Sequence, residues 1–530
     1  MIKNFLVSLG FVAVYNLFLF KTGWGLGFSL LILLLNLCFF LFKDNKARNI
    51  YLGYVSSVVA IVFGCLISYR ANEVVQLANI LVSLLFSVTA LYFYKEENTF
   101  KFLIPSFLLI PFNVLAKAFT SIPDSLSQKK EDHHGTKNEI IKSLIKGLIF
   151  AVPVLIVLAI VLISADPVFG KLADNLLKNI HERIIISLLL FVPLFALSLI
   201  KLKEKVSFEK EEIKQLIHKG YELSVVLGGI ALLFGAFIVV QSQYLFSSLG
   251  ERQLEQLGIT SLTYSEYVNK GFFELMIATV ISIGVLSYVL TFIKRITGNE
   301  KKIIQVLSSA VILETFLIIL SAAQRVNLYQ IEHGLTRARI FGTIFLVYLT
   351  ILLVIYLFHL FINMSQKKFF YSMVSSVLLF FLSINLINID GMIATTYKPT
   401  VNKEIDYTYL SYLSPDAYMV WPEIINNIDS AVATIETKRE SMTDDDKRKY
   451  SYAKIELYQL EKKYKEQIIN SRWQELNLSK YQALQLSLDK KEEFGLLGEL
   501  RQRVSQIETE FGPILNIYSV DRDTTPPLVH

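Results

Sequence analysis

Apolar runs long enough to cross a membrane recur along most of this sequence. A helix needs ~20 residues to span the hydrocarbon core of a bilayer, and eleven runs approach or exceed that length. In chain order they are Phe5–Phe20, Gly27–Phe42, Tyr51–Ile67, Val74–Tyr94, Leu144–Ile163, Ile184–Leu202, Tyr221–Tyr244, Phe272–Ile293, Ile303–Ala322, Ile340–Phe361 and Phe369–Leu386. The sequence therefore predicts an all-α fold, a polytopic transmembrane helical bundle.

The composition excludes an ordinary soluble protein. Hydrophobic residues make up 53% of the chain and charged residues only 18%, with a mean hydropathy of +0.47. A soluble domain carries about 25% charged residues. The Lys and Arg residues lie in short loops between apolar runs and not in one patch, so we expect no nucleic-acid partner and take the lipid bilayer as the surrounding solvent.

The distribution of basic residues predicts the orientation of the chain. A twelfth run, Phe102–Phe119, is interrupted by Pro105 and Pro111, which favours an interfacial segment over a span. If it does not cross and the N-terminus is cytoplasmic, the inner loops hold the basic clusters at 43–48, 129–137, 201–214 and 294–302. This obeys the positive-inside rule. We predict about eleven spans, with ten to twelve left open, in a cell membrane, with an extracytoplasmic C-terminal domain.

Four regions follow from this pattern. Residues 1–94 are N-terminal transmembrane helices, 95–143 an interfacial amphipathic segment and a cytoplasmic loop, 144–387 the core bundle, and 388–530 a water-exposed helical domain. In the last region Leu457, Leu460, Tyr464 and Ile468 recur at spacings of three and four, which is typical of a helix. The acidic residues 444–446 come just before this pattern and favour a helix start.

Four polar segments fall on the predicted outer face. They are Ser164–Gly170, Tyr264–Leu275, Arg325–Arg339, and Asn385–Tyr397 with Asp406–Asp416. Their motifs are Ser164-Ala165-Asp166-Pro167, Gly271-Phe272-Phe273-Glu274-Leu275, the connection from Arg325, Leu328 and Tyr329 to Gly334-Leu335-Thr336 and Arg339, and the segment Tyr409–Ala417. Together these segments resemble the uncharacterised bacterial membrane proteins of domain-of-unknown-function families 4153 and 4173. The resemblance covers roughly residues 146–417 and implies relatives, but it implies no activity.

The chain departs from these families at three places. His333 stands where the families tend to have Tyr, and Lys270 stands where Arg is common. Thr395–Pro399 replaces a more polar segment. If relatives bind a ligand through that segment, its binding is not carried over to this chain.

Glu314 lies near the middle of the ninth predicted span, where an ionised carboxylate costs about 2.5 kcal/mol or more. Ser321 and Arg325 follow on the same helix face. One interpretation is a role in coupling a proton or a solute, and the other is a structural acid that is satisfied between helices.

Residues of the predicted outer face, together with Glu314 in the ninth span, form a candidate polar cluster. Its members are Asp166, Glu274, Glu314, Arg325, Tyr329, Arg337 and Arg339. The planar guanidinium groups are suited to holding a phosphate or carboxylate. The simpler interpretation is that Glu274 pairs with one Arg and ties two spans together. Asp166 before Pro167 is equally well explained as a turn.

The remaining motifs predict neither a cofactor nor a metal. His133 and His134 have no further ligands at metal spacing, and Gly23-x-Gly25-x-Gly27 lacks the strand of a dinucleotide site, so it is interpreted as a turn between spans. We also find no Walker lysine motif and no nucleophile elbow.

Three classes of function stay open. We favour a cell-envelope scaffold or sensor whose outer-face polar site and C-terminal domain engage an envelope protein or lipid. The alternatives are a secondary transporter or lipid translocator that uses Glu314 and the arginines, and an intramembrane enzyme acting on lipid-linked substrates. Such chemistry needs two carboxylates or a metal within reach of each other, so it depends on whether Asp166, Glu274 and Asp390 meet in space. We rank the non-enzymatic classes higher.

Overall fold

A computed structural model describes, apart from short internal gaps, residues 2–114, 182–199, 220–242, 264–438, 441–465 and 472–515. The helices of this part are α1 Ile2–Phe18, α2 Leu26–Leu41, α3 Ile50–Leu66, α4 Glu73–Lys95, α5 Ile104–Leu108, α6 Glu182–Leu199, α7 Gly220–Ser242, α8 Tyr264–Phe292, α9 Gly298–His333, α10 Arg337–Ile362, α11 Gln366–Leu386, α12 Ile389–Thr395, α13 Tyr407–Tyr412, α14 Trp421–Lys438, α15 Asp444–Lys462, α16 Leu478–Asp489 and α17 Lys491–Leu515. Strands β1 Thr400–Val401 and β2 Glu404–Ile405 pair as an antiparallel hairpin. The predicted all-α fold class is confirmed.

Several of these helices are suited to a bilayer. Within the described part, α4, α9, α10 and α11 are long and apolar enough to cross a membrane, and shorter apolar helices accompany them. The chain is therefore a helical membrane protein, and the number of spans stays a prediction. The predicted span Leu144–Ile163 lies outside the described residues. In the described part of Phe102–Phe119, the five-residue helix α5 is followed, after a turn at Leu109, by a second helical stretch at 110–114. Whether this run crosses the membrane stays a prediction.

The chain divides into two compact units. Unit 1 comprises residues 1–69, 74–212 and 472–477, and unit 2 comprises residues 70–73, 213–471 and 478–530. In unit 1, hydrogen bonds join neighbouring helices. Asn36 Nδ2 donates to Ser87 Oγ at 2.8 Å, and Ser57 Oγ lies 2.9 Å from Tyr94 Oη. Polar contacts of this kind hold helices together where both helices face an apolar medium.

A short C-terminal segment, residues 472–477, belongs to unit 1. The backbone N–H of Leu26 donates to Leu476 O at 3.0 Å, and the N–H of Gly23 donates to Glu475 Oε1 at 3.0 Å. A Cβ on Gly25 would lie 2.6 Å from the backbone of Glu475. The glycine-rich stretch is thus a turn before α2, as predicted, and the absence of side chains lets a second segment approach.

Unit 2 contains an apolar core built from α7, α8, α9 and α10. Its fully buried members include Leu227, Leu286, Ile304, Val311 and Tyr356. Tyr356 Oη lies 2.5 Å from Ser287 Oγ, so the one polar tip among these side chains is satisfied. This core orients α9 and α10 so that the connection between them, residues 334–336, emerges at the end where α11 also finishes.

The C-terminal helices form their own apolar core within unit 2. The buried side chains of α14 recur with helical periodicity, and they pack with buried residues of α15 and α17: Trp421, Ile424, Ile425, Ile428, Val432, Ile435, Tyr450, Leu457, Leu460, Leu497 and Leu500. Thr443 and Asp446 form a capping box at the start of α15, with the predicted acidic residues in its first turn. The C-terminal region is helical, as predicted, whereas its existence as a separate water-exposed domain, its boundaries and its extracytoplasmic location stay predictions.

Candidate functional site

Asp390 is the centre of a buried polar network in unit 2. It lies in the first turn of α12, directly after α11, and its side chain is 0% exposed. Arg337, at the start of α10, donates from Nε to Oδ1 at 2.7 Å and from Nη2 to Oδ2 at 2.5 Å. This bidentate pairing is the strongest hydrogen-bonding geometry available to a carboxylate. It fixes the end of one span against the beginning of another.

Two more residues donate hydrogen bonds to the carboxylate of Asp390. Asn72 Nδ2 donates to Oδ1 at 3.0 Å, and Ser414 donates to Oδ2 from its backbone N at 3.0 Å and from its Oγ at 2.5 Å. With the two bonds from Arg337, the carboxylate accepts five hydrogen bonds. Its oxygens therefore have no room for a ligand or a water molecule.

A second acid, Asp416, lies beside the first. Its Oδ2 accepts the backbone N–H groups of Ala71 and Asn72 at 2.9 and 2.6 Å, and Ser479 Oγ donates to Oδ1. Ser414 Oγ is 3.0 Å from the same Oδ2, but its single proton goes to the closer Asp390. Burial raises the pKa of Asp416, and the charge of Asp390 acts in the same direction, against the hydrogen bond from Ser479.

A buried lysine lies on the other side of this segment. Lys463, at the end of α15, donates from Nζ to the carbonyl oxygens of Ser411 and Leu413. Burial, together with the charge of Arg337 and against the charge of Asp390, lowers the pKa of Lys463 to about 7. Near neutral pH this lysine is therefore present in both its charged and its neutral form.

The connection between α9 and α10 is fixed by backbone contacts. Gly334 has φ +75°, and a Cβ there would collide with the carbonyl of Lys398. The N–H of Leu335 donates to Tyr397 O at 2.9 Å, and the N–H of Arg337 donates to Tyr409 Oη at 2.9 Å. Arg339 Nη1 donates to Gly334 O at 2.6 Å, so part of its guanidinium closes the turn.

The predicted polar cluster is only partly brought together. Arg337 and Arg339 lie at the turn after α9, but Glu314 lies roughly 30 Å along the helix axis from the end of α9. Arg325 lies between them on α9, a little over one turn from Tyr329. Glu274 and Tyr329 are in helices, but their side chains are outside the described residues, as is all of Asp166. For these three, membership of a cluster stays a prediction.

The network around Arg337 was not predicted from the sequence. Asn72, Ser479 and Lys463 lay in no motif, and Asp390 was noted only as one acid of a hypothetical enzyme site. Ser414 and Asp416 stood inside the segment Tyr409–Ala417 without an assigned role. The sequence signal available was the dense polar stretch that directly follows the last apolar run.

The network is not a ligand cavity. An open pocket of about 360 Å³ lies nearby, lined by residues of the α9 end and the β-hairpin: Ile331, Gly334, Thr395, Thr396, Tyr397, Lys398, Thr400 and Ile405. None of the network carboxylates lines it. In the described part of the chain no group of His, Cys, Asp and Glu is arranged to hold a metal.

Comparison with known proteins gives one match. The family model described as Domain of unknown function (DUF4153) matches residues 57–423, most of the chain. No curated protein and no solved structure matches. The expected resemblance to family 4153 is confirmed, and that to family 4173 stays a prediction. This chain therefore belongs to the DUF4153 family of membrane proteins of unknown function.

Proposed function

We propose that this protein is a cell-envelope scaffold or sensor in which the Asp390 network holds the C-terminal helices on the last spans. The observation that supports this proposal is the hydrogen bonding of Asp390. Its carboxylate is fully buried and accepts five hydrogen bonds from three residues. A site that captured a phosphate or carboxylate would keep a guanidinium available. The guanidinium of Arg337 is instead occupied by an internal acid.

The surface of the C-terminal helices supports an interaction role. Tyr458 is 62% exposed and Tyr481 53% exposed, although both belong to a well-packed helical domain. Exposed tyrosines are favoured at protein interfaces because they contribute a large contact area together with a polar tip. We infer that a partner in the envelope, a protein or a lipid, contacts this domain.

Photocrosslinking in intact cells tests this proposal. A photoreactive residue at Tyr458 or Tyr481 should give one discrete adduct, whereas the same residue at Glu499, which is also exposed, should give none. Adding Asp390→Asn should remove the adduct while the chain remains in the membrane, because the domain loses its fixed position. Equal crosslinking at all three positions, or an adduct that is indifferent to Asp390→Asn, would contradict the proposal.

A secondary transporter or lipid translocator is the second candidate. One observation favours it: Glu314 places a carboxyl inside an apolar span, and its Oε2 has no hydrogen-bond partner in the described part of the chain. Transporters place such groups on the path of an ion or proton. Substrate-dependent proton uptake by reconstituted vesicles, abolished by Glu314→Gln, would favour this candidate over the scaffold.

A further inference from the structure

Glu314 lies near the middle of the apolar stretch of α9, which runs from Ile303 to Ala322. Both ends of that stretch are about ten residues away, so the carboxyl is roughly 15 Å from either end along the helix. Apolar residues precede and follow it on α9, among them Val311 and Ile318, which are buried in the core of unit 2. The carboxyl is therefore set deep in an apolar layer.

The carboxyl faces α7 at a glycine. A Cβ on Gly235 would lie 3.4 Å from Oε1, so a methyl group there would contact the carboxyl. Phe234 and Ile238 of α7 pack against the core on either side of this position. The side chain of Glu314 is half-buried, and α7 places apolar groups and backbone beside its carboxyl.

No charge in the described part of the chain compensates an ionised Glu314. The ion pairs of this part do not include it, and its Oε2 is buried without a hydrogen-bond partner. An unpaired carboxylate in hydrocarbon costs about 2.5 kcal/mol or more, whereas the neutral acid avoids this cost. The neutral form also supplies one O–H donor.

We propose that Glu314 is a proton-binding site, a carboxylic acid that takes up and releases one proton inside the membrane span. The ligand is the proton itself, and α7 lies beside the site at Gly235. Release of the proton leaves a charge in the apolar layer, so protonation of Glu314 and packing of α7 on α9 depend on each other. This inference is independent of the scaffold proposal, which concerns the Asp390 network. It deepens the transporter candidate, which uses the same carboxyl, but carbodiimide labelling reports proton binding whether or not a substrate is transported.

A hydrophobic carbodiimide tests the proposal on the full chain in native membranes. The protonated carboxyl gives its proton to a carbodiimide nitrogen while its oxygen bonds to the central carbon, and the adduct rearranges to a stable N-acylurea. Peptide mass spectrometry should find this adduct on Glu314, decreasing as the buffer pH rises, and Glu314→Gln should lose it. Dicyclohexylcarbodiimide is a suitable reagent.

Matched variants and a second reagent make the result decisive. Gly235→Ala places a methyl group against Oε1 and should slow labelling, whereas Gly228→Ala on the same helix, where a Cβ meets nothing within 4 Å, should not. A water-soluble carbodiimide with an amine should label Glu300, in the first turn of α9, and spare Glu314. Labelling of Glu314 by the water-soluble reagent, or labelling by the hydrophobic one at a rate independent of pH, would overturn the proposal.

Discussion

A buried carboxylate stabilises a fold only while its hydrogen-bond donors are present, because a donor that is removed leaves a charge without solvent. Asp390 depends on Arg337, which is 53 residues away in the chain, and on Asn72, which is 318 residues away. Sequence reasoning identified Arg337 as a polar residue of interest but could not predict its partner. The spacing of apolar residues along the chain predicts helices, but it does not predict contacts between residues so far apart in sequence.

The Arg337–Asp390 pair yields a first prediction at this scale. Arg337→Met or Asp390→Asn alone should lower the free energy of unfolding by about 3–5 kcal/mol, because each leaves a buried partner uncompensated. The double variant Arg337→Met/Asp390→Met should lose less than the sum of the single variants. Thermal unfolding of the full chain in detergent measures both.

An exposed ion pair provides the control for that measurement. Arg448 Nη2 lies 2.6 Å from Asp445 Oδ1, and both side chains are about half exposed. Arg448→Met should change stability by less than about 1 kcal/mol. Strict additivity of the Arg337 and Asp390 variants, or losses as small as that of Arg448→Met, would mean that the pair does not hold the fold.

Glu456 yields a prediction of pH dependence. Burial raises its pKa to about 7, the nearby charge of Asp406 raises it too, and hydrogen bonds from Asn427 and Thr408 oppose the shift. Between pH 4.5, the ordinary pKa of the group, and about pH 7, Glu456 therefore keeps its proton in the folded chain but has released it in the unfolded chain. Across this window the contribution of Glu456 to stability falls as pH rises.

Glu456→Gln removes that titration. Relative to the wild type, the variant should gain stability as the pH is raised from about 4 to about 8, by on the order of 3 kcal/mol at most. The melting temperature of the full chain across this range shows the effect. A difference between variant and wild type that is constant with pH would exclude a raised pKa at Glu456.

At the scale of elements, the sequence predicts helices well and their connections poorly. Apolar length and periodicity identified α4, α9, α10, α11 and α15, because helix formation depends on neighbours three and four residues apart. The short elements α12 and α13 and the β-hairpin were not predicted. Their conformation depends on contacts with the distant connection between α9 and α10, where the N–H of Leu335 donates to Tyr397 O and that of Arg337 donates to Tyr409 Oη. The geometry of the candidate site depends on the same contacts.

The turn between α9 and α10 yields the prediction at this scale. Gly334→Ala should destabilise the chain strongly, because φ is +75° and the Cβ would meet the carbonyl of Lys398. Gly298→Ala has a similar φ of +71° but open space around the Cβ, so it should cost only the ~1 kcal/mol of left-handed backbone strain. Folded yield and melting temperature compare the two. Equal losses would show that the Lys398 contact is absent.

At the scale of the whole molecule, the predicted orientation has a direct consequence for labelling. With a Cys-free background, single cysteines at Ser265 and Ser441 should react with an impermeant reagent added to intact cells, and one at Gly298 should not. The reasoning is that the first two lie on the predicted outer side and the third in a predicted inner loop. The reverse pattern would show that Phe102–Phe119 crosses the membrane.

The measurement that tests the structural role of the Asp390 network most directly is hydrogen exchange of the full chain in lipid discs. In Asp390→Asn, backbone amides of residues 407–420 and of α16 should exchange faster than in the wild type, because Ser414, Asp416 and Ser479 lose their anchor. The amides of α9 and α10, in the apolar core, should stay protected. Unchanged exchange at residues 407–420 and α16 would contradict a network that holds the C-terminal helices in place.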